Sequence, residues 1–317
     1  MGYESNCGLE VLQNLFVRQE LLQQNDARKE TIRPVLFGGG GVFRGVDGAA
    51  RACALEHHNL HPVFTHVCGT STGAASGQFF LSGHTRDNIN IYWKEAATEQ
   101  FISFRRLFLG KAIEGTQFLS DVFKAKLDLN AFLDATPEFH VAVTHAVTGV
   151  GSFINAKTSR NALHEAVRAS FSIPFLCGEP VMIGGEPYYD GVGAMAMPTK
   201  EIIEQFHPTD LLIFANAPKE ELESSIKRAI EVLCFRNLPP GARDAFLTRG
   251  PRFNQGIEYL KQRQDIRWMI VWSEEVGLFE RREEVLQDAA RRAEDSFSAL
   301  LQEAKASLKE QRMPRVA

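Results

Sequence analysis

The sequence lacks the features that mark membrane-spanning, disulfide-rich and nucleic-acid-binding proteins. No run of about eighteen apolar residues occurs, and no positively charged N-terminal segment precedes an apolar stretch. Its five cysteines are odd in number and show neither C-x-x-C pairing nor zinc spacing. The formal net charge is −4, so the chain has no global positive field for nucleic acid. We expect a cytoplasmic protein without metal or cofactor, which touches membranes only peripherally.

What the sequence contains is typical of a large globular protein. The chain has 317 residues, of which 44% are hydrophobic and 23% charged, and this composition excludes a disordered protein. Leu9, Leu12, Leu15, Phe16 and Leu22 repeat at helical spacing and predict an amphipathic helix. We divide the chain into an N-terminal helix (1–30), a catalytic domain (31–275) and a C-terminal helical extension (276–317).

Two strand-loop-helix units follow one another early in the chain. Pro34–Phe37 is a short apolar run that leads into Gly38–Gly41, and a helical pattern over Arg44–His58 follows. Val63–Cys68 predicts a second strand, and Ser71–Leu81 the next helix. This order favours an α/β fold of three layers, with helices on both faces of a mostly parallel sheet.

The rest of the chain adds strands and a long helix. Further strands are predicted over 139–147, 152–156, 181–183, 187–190, 211–214 and 268–272, and a helix over 161–170. Residues 283–308 form a charge-rich helical pattern whose apolar positions alternate in steps of four and three. Such a helix either packs on its own domain or associates with the same helix of a second copy.

The segment Gly69-Thr70-Ser71-Thr72-Gly73 fits G-x-S-x-G between the second predicted strand and its helix. In a nucleophile elbow, a serine at this sharp turn projects its hydroxyl above the sheet, and the helix N-terminus offers amides to an oxyanion. The pentapeptide alone also fits an ordinary capped turn. Ser71 is therefore a candidate nucleophile that needs support from its surroundings.

The glycine run at 38–41 leaves backbone N–H groups unshielded, as an anion-binding loop requires. A Walker phosphate loop would need Gly-Lys-Ser/Thr, where this chain has Phe43-Arg44-Gly45. A dinucleotide-binding loop would need an acidic residue after a second strand, and Glu56 has no such strand before it. An oxyanion loop beside Ser71 needs no further residues.

A serine nucleophile needs a base, and the nine histidines offer no convincing one. Only His207 follows the later acidic candidates, and it stands just ahead of a predicted strand. Asp190 follows two tyrosines and precedes Gly191, so partial burial would raise its pKa toward that of a working base. By itself, Asp-Gly is also a common turn dipeptide.

The order of these segments resembles the patatin-like phospholipases. It comprises a strand followed by GGGG and Arg44-Gly45, then GTSTG, then the segment 169–175 (ASFSIPF), and finally Asp190-Gly191-Val192 ending in Pro198. The resemblance spans about residues 33–215. It implies a Ser-Asp dyad that cleaves acyl esters of phospholipids or related lipids, with Ser71 as the nucleophile and Asp190 as the base.

The resemblance also places the oxyanion hole, on the loop of Gly39, Gly40 and Gly41 with the Thr72 amide. Arg44 would support this loop or bind a substrate phosphate. The chain departs from the family pattern at Val42, which lengthens the loop or replaces a glycine, and at Val192, where the family has a small residue. The family's asparagine near Pro198 is missing as well.

Two further hypotheses come from the sequence. The segment Phe101–Lys111 mixes large apolar and basic side chains, which fits either a membrane-contacting lid or an amphipathic core helix. The departures from the family pattern also fit a lipid-binding or scaffolding protein without turnover. An ordinary Ser-His-Asp esterase that uses His207 is the third alternative.

Overall fold

The computed structural model describes residues 2–98, 115–174, 179–219, 232–273 and 276–312. Its centre is one nine-stranded sheet with the order β1-β9-β8-β2-β3-β4-β7-β6, and β5 pairs with β4. The strands are β1 Tyr3–Ser5, β2 Pro34–Gly38, β3 His66–Gly69, β4 Glu138–His145, β5 Gly151–Asn155, β6 Val181–Ile183, β7 Glu186–Asp190, β8 Asp210–Phe214 and β9 Arg267–Val271.

The five central strands β9, β8, β2, β3 and β4 are parallel. Strands β1, β5 and β7 join them antiparallel, and β6 pairs antiparallel with β7. Helices lie on both faces of the sheet, which confirms the predicted three-layer α/β/α fold. The helices are α1 Glu10–Gln23, α2 Gly45–His57, α3 Thr72–Ser82, α4 Thr85–Asn88, α5 Ile91–Lys94, α6 Gly115–Lys126, α7 Leu129–Asp134, α8 Arg160–Ser170, α9 Thr199–Phe206, α10 Pro240–Leu247, α11 Arg249–Lys261 and α12 Glu283–Arg312.

Successive side chains of the central strands point to opposite faces of the sheet and contribute to two separate hydrophobic cores. In β8, Leu212 and Phe214 face the larger core, which α1, α2, α3, α8 and α12 cover. Leu211 and Ile213 face the smaller core, against α9 and α11. Strands buried on both faces read as continuous apolar runs, and this is why β2 and β8 are recognisable in the sequence.

The long helix α12 packs on its own chain. Its buried stripe lies against α2 and α1, and Phe297 meets Phe214 edge-to-face with ring centroids 5.3 Å apart. The buried residues of the stripe are Leu286, Ala289, Ala290, Ala293, Phe297, Leu301 and Ala304. The alternating steps of four and three in the sequence run from Leu286 to Leu300 and predict that Leu300 is buried, but Leu300 is only half-buried and the fully buried residue is Leu301. Within the described residues, no helix is both long and apolar enough to cross a bilayer.

Candidate active site

Ser71 sits at the turn between β3 and α3 with φ 54° and ψ −121°. Such a positive φ is rare for a non-glycine residue and marks stored backbone strain. The two flanking glycines make the turn possible. A Cβ on Gly73 would lie 2.0 Å from the Gly38 carbonyl oxygen, and one on Gly69 would lie 2.6 Å from the Ala74 nitrogen. Backbone therefore packs directly on backbone beneath Ser71.

The glycine loop lies beside this turn. A Cβ on Gly40 would lie 3.1 Å from Ser71 Cβ and 3.8 Å from its Oγ, so Gly40 is the loop residue nearest the hydroxyl. Gly39 differs from Gly40, because its amide already donates a hydrogen bond to the Phe214 carbonyl at 2.8 Å. Within the described part of the chain, the amides of Gly40, Gly41 and Thr72 have no protein acceptor. These three N–H groups are available to donate hydrogen bonds to an anion.

Val42 and Arg44 follow the loop. Val42 has φ 47°, a conformation that favours glycine and is a strained one for a β-branched side chain. This backbone geometry fits a valine standing where a glycine is expected. Arg44 donates from Nε to the Val276 carbonyl at 2.9 Å, and its amide donates to the Gly41 carbonyl at 2.9 Å. Both bonds hold the loop in place.

The pairing along β4 explains how the chain brings Ser71 and Asp190 together. Val143 pairs with Ser152 of β5 and with Asp190 of β7, so these two strands lie on opposite edges of β4. Val141 likewise pairs with β5 and with Gly69 of β3. Strands β3 and β7 therefore lie on the same edge of β4, in line, with their carboxyl ends facing each other. Ser71 follows the end of β3, and Asp190 is the last residue of β7.

The backbone of Asp190 is held on three sides. Its amide donates to the Ser172 carbonyl at 3.0 Å, and its carbonyl accepts from Thr144 Oγ1 at 2.8 Å. A Cβ on Gly191 would lie 2.4 Å from the Ala142 carbonyl oxygen, so the next residue must be small for β7 to approach β4. The side chain is fixed as well, because the Val192 amide donates to Oδ1 at 2.8 Å.

The carboxyl group of Asp190 is fully buried, and burial raises its pKa to about 7. The Val192 amide, the nearby Ser71 hydroxyl and the Arg249 guanidinium lower that pKa in part. Ser71 is close enough to act on the pKa, yet Oδ2 has no hydrogen-bond partner among the described residues. Hydrogen bonds at catalytic sites are often long before substrate binds.

Two polar residues that the sequence interpretation did not assign also hold the site. Ser170 is fully buried, accepts the Ser71 amide at 2.8 Å and donates to the Ala142 carbonyl at 2.7 Å. It thereby connects the strained turn to β4. Asn216 follows β8, and its Nδ2 donates to the Gly39 carbonyl at 2.7 Å. A polar residue just after a buried parallel strand is the signal that points to Asn216.

A cavity of about 80 Å³ opens beside Ser71 and runs along one face of α3. Ala75 and Phe79 line it at successive turns of that helix. Phe123 packs edge-to-face between Phe79 and Phe171, with ring centroids 5.8 and 5.9 Å apart, and the three rings form one wall. Most of the lining is aliphatic or aromatic, so the cavity suits a hydrocarbon chain.

The remaining sequence candidates lie elsewhere. His207 ends α9 ahead of β8, at the amino end of the parallel strands, whereas Ser71 lies at their carboxyl end. A strand of five residues, about 16 Å, separates these edges, so His207 does not reach Ser71. The segment Phe101–Lys111 lies outside the described residues.

Comparisons with known proteins identify the family of the chain. The family model of the patatin-like phospholipases matches residues 35–203, which include Ser71, Asp190 and the glycine loop. The chain is also similar to VipD from Legionella pneumophila, known from a crystal structure. The identity is 12% and the TM-score 0.46, over 86% of this chain and 67% of that chain. No curated protein matches. Because the family model covers more than half of its residues, the chain belongs to the patatin-like phospholipase family, a family of lipid acyl hydrolases.

Proposed function

We propose that the protein hydrolyses carboxylic esters of phospholipids or lysophospholipids through a Ser71-Asp190 dyad. The observation that carries this proposal is a strained serine turn that faces a buried carboxylate, with an apolar cavity opening at the same serine. A base works best when its pKa lies near the working pH, and the pKa of Asp190 is raised to about 7.

In the proposed reaction, Asp190 takes the proton of the Ser71 hydroxyl as Oγ attacks the ester carbonyl carbon. The amides of Gly40, Gly41 and Thr72 stabilise the oxyanion, while Gly39 and Arg44 support the loop. The carbonyl re-forms, the alcohol leaves with the proton from Asp190, and an acyl group remains on Ser71. Water then attacks this ester, again giving its proton to Asp190, and the fatty acid leaves as Ser71 recovers its proton.

The cavity supports a lipid as the substrate. An acyl chain whose carbonyl carbon lies at Ser71 would extend along Ala75 and Phe79, out of contact with water. Burial of each methylene contributes about 0.8 kcal/mol, so this cavity favours long acyl groups over acetyl groups. The polar head group would remain at the mouth of the cavity, outside the apolar lining.

The test is hydrolysis of a soluble short-chain ester and of dispersed phospholipid by the purified protein. Ser71→Ala and Asp190→Asn should each lower kcat/KM by about 10² to 10⁴ on both substrates. Ser76→Ala is the matched control, because Ser76 also lines the cavity, one turn further along α3. Full activity in either dyad variant would overturn the proposed roles. A wild-type protein that binds lipid without turnover would favour the scaffolding alternative.

A further inference from the structure

Four apolar side chains with about half or more of their surface exposed lie on two adjoining segments of the structure. They are Val147 (52% exposed), Val150 (63%), Val232 (49%) and Leu233 (59%). Isolated exposed residues of this kind are ordinary, but a contiguous set marks an interaction surface. We call these residues, together with Arg236 and Arg243, the hairpin patch.

The two segments are packed together. Val147 and Val150 lie in the turn between β4 and β5, and a Cβ on Gly149 in the same turn would lie 2.0 Å from the Gly241 carbonyl oxygen. The segment ahead of Gly241 continues the contact, because Phe235 stacks near Phe246 of α10 with ring centroids 5.3 Å apart. Ala146, next to Val147, belongs to the same apolar cluster as these two rings.

The hairpin patch lies at the edge of the sheet where Ser71 lies. Strand β4 runs parallel to β3, and both carboxyl ends point to the same edge. Ser71 stands two residues beyond β3, and Val147 stands two residues beyond β4. On the other side of Ser71, Phe279 lines the cavity and is 42% exposed. Apolar side chains therefore flank the catalytic edge.

The segment 232–252, which carries one half of the hairpin patch, is positively charged, although the whole chain carries −4. Residues 232–252 contain four arginines and one aspartate. Asp244 is 3.7 Å from Arg252, and Arg249 donates to the Phe246 carbonyl. Arg236 and Arg243 are exposed, and across the described ranges neither guanidinium has an ion-pair or hydrogen-bond partner.

We propose that the hairpin patch docks the protein on a bilayer that carries anionic lipid, with the catalytic edge toward the membrane. Exposed valine and leucine side chains insert among acyl chains, while arginines at the rim bind lipid phosphates. This places Ser71 near esters that remain in the bilayer. The inference rests on the proposed function for its orientation, and it uses only residues that the structure describes.

The test is sedimentation of the full chain with vesicles, in the Ser71→Ala background so that lipid is not consumed. Vesicles of phosphatidylcholine alone are compared with vesicles of equal parts phosphatidylcholine and phosphatidylglycerol. Arg236→Gln with Arg243→Gln should weaken binding to the anionic vesicles about thirtyfold, since each arginine near such a surface contributes about 1 kcal/mol, a factor of about five. Raising the salt to about 1 M, where the Debye length is about 3 Å, should have a similar effect.

Matched controls lie at the opposite edge of the sheet. Arg28→Gln with Lys29→Gln removes the same charge, and Leu133→Ser removes an exposed leucine there, as Leu233→Ser does in the patch. Binding that falls equally in patch and control variants, or equal binding to both vesicle types, overturns the proposal.

Hydrolysis of a soluble short-chain ester separates this inference from the function itself. The patch variants, with Ser71 intact, should keep that activity and lose activity on anionic vesicles. An active enzyme with no patch-dependent vesicle binding refutes the docking alone. A protein inactive on every ester refutes the proposed function, whatever its membrane binding.

Discussion

Replacing Asp190 by asparagine should inactivate the protein and stabilise it at the same time. The carboxyl group is fully buried, and its pKa is raised from 3.8 to about 7. The folded protein therefore binds this proton more tightly than the unfolded chain does, and ionisation of Asp190 lowers stability as the pH rises from about 4 to about 7. Asparagine carries no charge, and its Oδ1 still accepts the Val192 amide.

The size of the effect follows from the two pKa values. Their difference corresponds to about 4 kcal/mol of unfolding free energy above pH 7, and to about 2 kcal/mol at pH 5. The buried N–H groups of the new carboxamide lower the free energy of unfolding by about 1 kcal/mol at any pH. The stability advantage of Asp190→Asn should therefore grow by about 2 to 3 kcal/mol between pH 5 and pH 8.5.

The assay is urea unfolding of wild type and Asp190→Asn at both pH values, followed by circular dichroism. Glu56→Gln serves as a control, because Glu56 is a half-buried carboxylate whose pKa is also raised by burial, but it lies away from Ser71 and accepts from the Thr85 amide. If Asp190→Asn is no more stable than wild type, or if the difference in stability does not change with pH, burial does not raise the pKa of Asp190 as argued.

Three further predictions concern the site, the buried histidine and the long helix. Ala75→Phe should fill the cavity and lower kcat/KM for a decanoyl ester about tenfold or more relative to a butyryl ester, measured with chromogenic esters. His140 is buried, and its pKa is lowered to about 4. Wild type should therefore lose about 3 kcal/mol of unfolding free energy as the pH falls from about 6.5 to about 4. Urea unfolding should show that His140→Leu removes this loss. A pH-independent difference would contradict this cause. Phe297→Ala should lower the free energy of unfolding by about 3 to 5 kcal/mol in the same assay, because it removes the ring that packs on Phe214. The control Glu303→Ala, at an exposed position of α12, should change it little. A decrease below about 1 kcal/mol for Phe297→Ala would show that α12 is not part of the core.

Local chemistry made the tight turn at Ser71 predictable from sequence. Ser71 lies between an apolar strand and small residues, and only such residues allow backbone contact at Gly69 and Gly73. The buried central strands were predictable for the same reason, since they are short apolar runs. Strand β3 begins later than predicted, at His66, because Pro62 starts a 3₁₀ turn over His61–Val63.

Non-local pairing could not be predicted. Nothing in the sequence of 186–190 shows that β7 meets β3 end to end along β4, although this arrangement brings Asp190 to Ser71. The hydrogen bond from the Gly39 amide needs the Phe214 carbonyl of β8, and the hydrogen bond from the Ser71 amide needs the Ser170 hydroxyl of α8. Helices α10 and α11 were missed because prolines and glycines interrupt their sequence.

The central claim is that Ser71 is the nucleophile and Asp190 activates it. The most direct measurement is labelling by a fluorophosphonate, followed by mass spectrometry of the digested protein. The account predicts one phosphonyl group per chain, on Ser71, with no labelling of Ser71→Ala and labelling of Asp190→Asn slowed by about 10² or more. Label on another residue, or hydrolysis of lipid esters by a protein whose Ser71 stays unlabelled, would contradict it.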